Sequence, residues 1–203
     1  MHEFVLLFLL ITANVMGVGM VVPQVIRINR VQSVGGVSIA WIGVGIAMNG
    51  WWSAYAVASG LWGLLPVSIG AGGLYLIMTA QVLRLGGWHA LRPLAVGAFL
   101  LGMVPLPFLL AGGMAAAGVA AGFSYGGQFM PAVAVSLRST ALSGLSPTTW
   151  TMAWIEAAIW VIYGTSVDDQ ALIIGGTGGA AASAIILIRL SSKRRRTLVP
   201  SLP

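Results

Sequence analysis

Glu156 and Trp160 stand four residues apart in "WTMAWIEAAIWVIYG", so they share one face if the stretch is helical. Asn49 stands three before Trp52 in "IAMNGWWSAY", again on one face. Glu156 is the only acid in the middle of an apolar run. A charge at the centre of a bilayer costs about 2.5–3.5 kcal/mol even on a lenient scale, so this carboxyl must face an interior, find a partner or hold a proton. Two chemistries fit: a polar ligand for a solute, or a proton carrier. An acid hydrogen-bonded to a neighbouring helix for assembly alone fits equally well. Asn49 alone reads as structural, but if the tryptophans line a cavity, Asn49 and Glu156 line it with them. Trp52 and Trp160 also read as part of an interfacial aromatic belt, because Trp51, Tyr55 and Trp62 crowd nearby.

These groups need a scaffold, and composition gives its class. Of 203 residues, 58% are hydrophobic and 7% charged, with a mean hydropathy of +0.96. Soluble domains carry about 25% charged residues; here the apolar side chains must meet lipid. The net charge of +6 does not point to nucleic acid, because the basic residues sit at the ends of apolar runs without aromatic interleaving. With no cysteine there is no disulfide and no thiolate metal site. The opening "MHEFVLLFLLITANVMG" reads as a retained first span rather than a cleaved signal.

Punctuation by Pro, Gly and charge predicts seven spans, at about 4–28, 37–57, 64–83, 93–111, 115–137, 147–165 and 171–190. Seven crossings put all ten basic residues on one side, and Glu3, Asp168 and Asp169 on the other. The positive-inside rule then predicts an outer N-terminus and a cytosolic C-terminus, in a plasma (inner) membrane.

A shift of 108 residues aligns Pro23 with Pro131, Arg30 with Arg138, Gly36 with Gly144, Ser38 with Ser146, Trp52 with Trp160 and Tyr55 with Tyr163. This register marks an internal duplication. Three spans per copy with one between predict an all-α membrane protein of two parallel triple-helix bundles joined by one linker helix. The expected units are 1–85, a linker at 86–112, a second unit at 113–190 and a basic tail at 191–203. Proline inside a helix removes a backbone hydrogen bond, so Pro23 and Pro131 are expected as paired hinges, or as static kinks that aid packing. Gln24, beside the first hinge, faces Ala132 in the second copy, which excludes a glutamine-specific role in both halves.

The Pro23–Gln24 dipeptide, the "RINRVQSVGGVS" loop, and the "WWSAY" and "WVIYG" segments resemble the PQ-loop superfamily, and within it the SWEET sugar transporters and their half-size bacterial relatives. The resemblance covers both triple-helix units. It implies alternating access about the two prolines and a central cavity in which Trp52 and Trp160 contact a sugar. It also implies asparagines sixteen residues after each tryptophan, but Ser68 and Gly176 stand there. Small residues in "PVSIGAGG" and "IIGGTGGAAASA" suit close helix packing, or alternatively a wider cavity with Ser68 and Thr177 as weak hydrogen-bonding groups.

The expected function is transport of a small solute, a sugar on the resemblance. The alternatives are a proton-linked exporter of amino-acid-like solutes using Glu156, and a non-transporting seven-helix receptor or scaffold. No cofactor, metal or nucleic acid is expected; the partners are a solute and the bilayer, with homo-oligomerisation left open. An enzyme fits poorly, since "GGTGG" lacks the Lys-Ser/Thr of a phosphate loop. A retinal protein fits poorly because the one lysine, Lys193, is in the tail.

Overall fold

A computed structural model describes residues 2–34, 37–138 and 146–198. These residues form helices α1 (His2–Val31), α2 (Ile39–Ser59), α3 (Leu65–Gly86), α4 (Leu91–Gly102), α5 (Pro105–Gly127), α6 (Met130–Arg138), α7 (Pro147–Ser166) and α8 (Gln170–Leu198), with 3-10 turns at Trp62–Leu64 and Trp88–Ala90 and no strand among the described residues. The Gly36 and Gly144 pair of the repeat lies outside them.

Among the described residues, four stretches are long and apolar enough to cross a membrane: Glu3–Val31, Trp62–Gly86, Pro105–Arg138 and Gln170–Ser192. The chain is therefore a helical membrane protein. Seven spans were expected; α2 and α7 do not join the four, and they are the helices richest in tryptophan, with Asn49 on one and Glu156 on the other. The runs expected at 93–111 and 115–137 are each split. The first is shared between α4 and the start of α5, and the second between the rest of α5 and α6. Large apolar side chains face outward along the helices, among them Phe4, Phe8, Phe99, Leu110 and Ile188, as contact with lipid requires. Trp62 and Trp88, both exposed, bracket α3; its 22 residues at ~1.5 Å per residue reach across a hydrocarbon layer, so the two rings sit where interfacial tryptophans belong.

Local chemistry sets the helix ends. Ser38 and Ser146 have extended backbones and accept, through their hydroxyls, the N–H groups of Trp41 and Thr149. These are N-caps, and the two copies of the repeat use the same residue for the same task. Asp169 caps α8 by accepting the Leu172 N–H at 2.9 Å. Gly113 interrupts α5 with φ 72 and ψ −165, a left-handed backbone that glycine adopts without a Cβ penalty.

Side-chain contacts show how the chain runs. Ala40 of α2 meets Gly97 of α4, Ala47 meets Gly102, and the Trp51 indole N–H donates to the Gly102 carbonyl at 2.6 Å. Going on along α2, Tyr55 meets Gly118 and the earlier Trp52 meets Tyr125. The chain thus rises beside α2 in α4 and returns beside it after Gly113. Helix α1 packs on α3 and α7, α2 on α3, α4 and α5, and α8 on α5, α6 and α7. Arg27, Arg30, Arg84, Arg92 and Arg138 lie at or near helix ends toward one pole, with Arg189, Lys193, Arg194, Arg195 and Arg196 in the last part of α8; Arg84 bonds Gln32, and Arg189 the Ser136 carbonyl. Asp168 and Asp169 mark the other pole, between α7 and α8.

Helices α2 and α4 approach closely because glycine faces backbone in both directions. A Cβ at Gly43 would strike the Leu94 carbonyl oxygen, and one at Gly97 the Ala40 carbonyl oxygen. Backbone cannot swing aside as a side-chain tip can, so overpacking here falls toward the upper part of the usual ~1–3 kcal/mol. At Gly73 nothing lies within 4 Å of a Cβ, and alanine there gains helix propensity of about 1 kcal/mol. Gly97→Ala should lower the midpoint of thermal unfolding in detergent, while Gly73→Ala leaves it unchanged or raises it. Equal midpoints would dissolve the tight α2–α4 contact.

Candidate functional site

A cavity of about 460 Å³ lies between the helices, walled by Gly17, Met20 and Val21 of α1, Trp41 and Asn49 of α2, Val67, Ala71 and Tyr75 of α3, Tyr125 of α5, Ala132 of α6, and Trp150, Ala153 and Glu156 of α7, with Gln128 and Phe129 between α5 and α6. It reaches the exposed cap residue Ser38 and Thr149 in the first turn of α7, so it opens at the basic pole. Asn49, Val67 and Tyr125 form its floor and also wall a smaller chamber of about 50 Å³ beyond. That chamber is closed by Trp52, Leu64, Ser68, Trp160, Leu172, Gly175 and Gly176.

The chamber's far side is sealed by a buried cluster containing Trp52, Tyr55, Leu61, Leu64, Trp160 and Leu172, with Leu10 and Tyr163 packed on it. A polar latch crosses the seal: the Tyr55 hydroxyl on α2 donates to Asp169 Oδ2 at 2.6 Å, while Asp169 Oδ1 holds the start of α8. Asn14 adds a second tie, donating to the Leu10 and Gly63 carbonyls and accepting the Val67 N–H. At the acidic pole the protein is shut, and at the basic pole it is open.

All six residues expected around a solute are brought together. Trp52, Trp160, Ser68 and Gly176 surround the small chamber, Glu156 lies in the wall of the large cavity, and Asn49 belongs to both. The duplicated tryptophans also keep matched neighbours: Trp52 meets Tyr55 edge-to-face at 6.0 Å and Trp160 meets Tyr163 at 6.1 Å. Both rings are buried, at 8% and 6% exposure, whereas Trp62 is exposed. Of these three, Trp62 alone suits the interfacial belt.

The two tryptophans differ in one polar contact. Trp160 Nε1 donates to Glu156 Oε1 at 3.1 Å, which confirms the shared helical face; the residue four before Trp52 is Met48. That bond is the one hydrogen bond Glu156 receives among the described residues. A carboxylate offers about four lone-pair sites, so most of its accepting capacity is left. Space for it comes from Gly17 across on α1, where a Cβ would lie 2.6 Å from Glu156 Oε1. Asn49 spends its Nδ2 on the Gly45 carbonyl at 2.8 Å, which leaves its carbonyl oxygen for the cavity.

Other expectations are corrected. Thr177 is exposed and lines an outer groove between α5 and α8, so it does not serve the cavity. Gly176 is pressed against α7, where a Cβ would come within 2.7 Å of the Ala157 carbonyl oxygen; it serves close packing and borders the chamber with backbone only. Pro23 lies exposed inside the unbroken α1, with Gln24 half-buried beside it, whereas Pro131 is the second residue of α6 after a turn at Gln128–Phe129. The two prolines match in sequence and differ in local structure, because a proline in the first turn of a helix forfeits no internal bond.

Sequence reasoning missed Trp41, Tyr75, Tyr125, Phe129 and Trp150, and it missed Asp169 as a latch. Tyr75 and Tyr125 carried a usable signal: Tyr75 stands in the middle of α3 and Tyr125 in the middle of the run expected at 115–137, where an interfacial belt does not place aromatics. Tyr125 is also the repeat mate of Gly17, and both face the cavity. No protein-family model and no curated protein matches the chain.

Proposed function

We propose that the protein is a small-solute membrane transporter that works by alternating access, with a SWEET-like arrangement of two triple-helix units, 1–85 and 113–190, joined by a linker at 86–112. The observation that carries this reading is the cavity: it draws walls from both units, is open at the basic pole and is sealed at the acidic pole by an apolar cluster and one latch. The reciprocal packing of α2 on α5 and of α7 on α1 supports a two-fold relation between the units. The positive-inside rule makes the basic pole cytosolic and places the N-terminus outside, in the plasma membrane. Opening the other pole requires parting Tyr55 from Asp169, with Pro23 and Pro131 as the flexing points.

Glu156 in the cavity wall favours a second reading, in which the cycle is proton-linked. Purified protein in liposomes should move at least one class among sugars, amino acids, organic acids and organic cations above protein-free vesicles. A proton-linked cycle would respond to an imposed pH gradient, and Glu156→Gln would abolish the response. A wild type indifferent to the gradient would dismiss the proton link. No flux in any class, together with a stable partner on the C-terminal tail, would replace transport by a receptor or scaffold.

A further inference from the structure

We infer that the cavity recognises an organic cation, of the amine or quaternary ammonium class, held by the Glu156 carboxylate within an aromatic cage. This rests on the transport reading and names its substrate class.

Charge is the first observation. Glu156 is the cavity's one carboxylate, and none of the described residues lining it is Arg, Lys or His. Titratable neighbours in the wall are the phenols of Tyr75 and Tyr125, which supply no positive charge. An acid in such a place attracts a cation more strongly than it would in water, because the surroundings screen it poorly. A neutral solute leaves that carboxylate without a counter-charge. A zwitterion brings its own carboxylate, for which the described wall offers no cationic partner.

Ring geometry is the second. Trp52 and Tyr125 meet edge-to-face at 6.3 Å, Tyr125 and Phe129 at 5.4 Å, and Phe129 and Trp150 at 5.9 Å. This ladder climbs from the open mouth, at the first turn of α7, to the sealed chamber. Trp41 and Tyr75 form another edge-to-face pair at 5.0 Å in the wall formed by α2 and α3. Trp150 and Trp41, both in the cavity wall, each have a single ring contact among the described residues, which leaves a π face on each for a cation. Cations are drawn to the faces of Trp and Tyr, most strongly where water is excluded.

Fit is the third. The volume of about 460 Å³ falls within the range of small-molecule sites and takes a compact ammonium such as choline. Besides the carboxylate, the Asn49 carbonyl oxygen can accept from an N–H or O–H donor, while the sugar-binding asparagines implied by the resemblance are replaced by Ser68 and Gly176.

Choline and its uncharged carbon isostere 3,3-dimethylbutan-1-ol have nearly the same shape, so a comparison isolates the charge. In the purified wild type, radiolabelled choline should be displaced by tetramethylammonium and unlabelled choline at concentrations at least tenfold lower than by the isostere. Glu156→Gln should weaken choline binding at least tenfold while retaining the wild-type elution profile. Equal displacement by the isostere overturns the inference, and this arm needs no variant. Undiminished binding to Glu156→Gln overturns it too. In liposomes, sugar uptake that choline does not inhibit would sink the cation class and leave transport standing. Charge-dependent choline binding without flux of any solute would uphold the cation site and sink transport.

Discussion

Tyr55→Phe is expected to unlatch the acidic pole. The change removes one hydroxyl and keeps the ring that packs against Trp52 and Gly118, so the apolar seal and the fold persist. Asp169 keeps its bond to the Leu172 N–H, so α8 still starts where it did. What disappears is the 2.6 Å bond from the hydroxyl to Asp169 Oδ2, which joins α2 to the turn before α8. A hydrogen bond to a charged group is worth about 1.5–3 kcal/mol. Asp169 is partly exposed, so the lower figure applies, and that is roughly tenfold in a two-state equilibrium. The chain has no cysteine, so a single Ser68→Cys in the closed chamber reports opening without background. Labelling of that thiol by an impermeant maleimide from the acidic side should quicken about tenfold when Tyr55→Phe is added. An unchanged rate would show that the apolar cluster alone holds this pole shut.

Trp160→Ala should be the most damaging single change around the chamber. Trp160 is buried at 6% exposure, seals the chamber beside Leu172 and donates the one hydrogen bond that Glu156 receives among the described residues. Truncating a buried tryptophan costs ~3–5 kcal/mol. Orphaning its acceptor adds about 1–3 kcal/mol. Trp160→Phe helps separate these effects, since it keeps an aromatic ring in the site while losing the Nε1 donor and part of the indole's bulk. The alanine variant should show a thermal midpoint lower by roughly 10–30 °C and flux reduced to background. The phenylalanine variant should retain most of the stability and change solute affinity through Glu156. Wild-type flux in the alanine variant would remove Trp160 from the transport path.

Much of the scaffold was legible along the chain because it follows from local rules. Apolar runs gave the helices, as lipid admits few other ways to satisfy a backbone. The spans expected from 37 and from 147 begin at the Ser38 and Ser146 caps, and the matched Trp–Tyr pairs of the repeat take matched edge-to-face geometry. Glu156 and Trp160 at four-residue spacing met as helical geometry requires. Thr177 failed because seniority of residue type says nothing about facing: a threonine among glycines reads as polar, yet its helical face turned outward. Pro131 does not share the mid-helix setting of Pro23, because a turn at Gln128–Phe129 precedes α6, which the 108-residue register does not carry.

By itself, the sequence determined the class of molecule, the neighbourhood in which α2, α3, α4, α7 and α8 start, and the shared face of one acid and one indole, since each follows from hydropathy or from neighbours within a turn. Tertiary structure alone decided that Gly17 would face Glu156, that Tyr55 would reach Asp169 across 114 residues, and that the cavity would be open at one pole and shut at the other. These contacts join helices distant in the chain, and their geometry comes from how whole helices seat on glycine-lined faces, which no local pattern encodes.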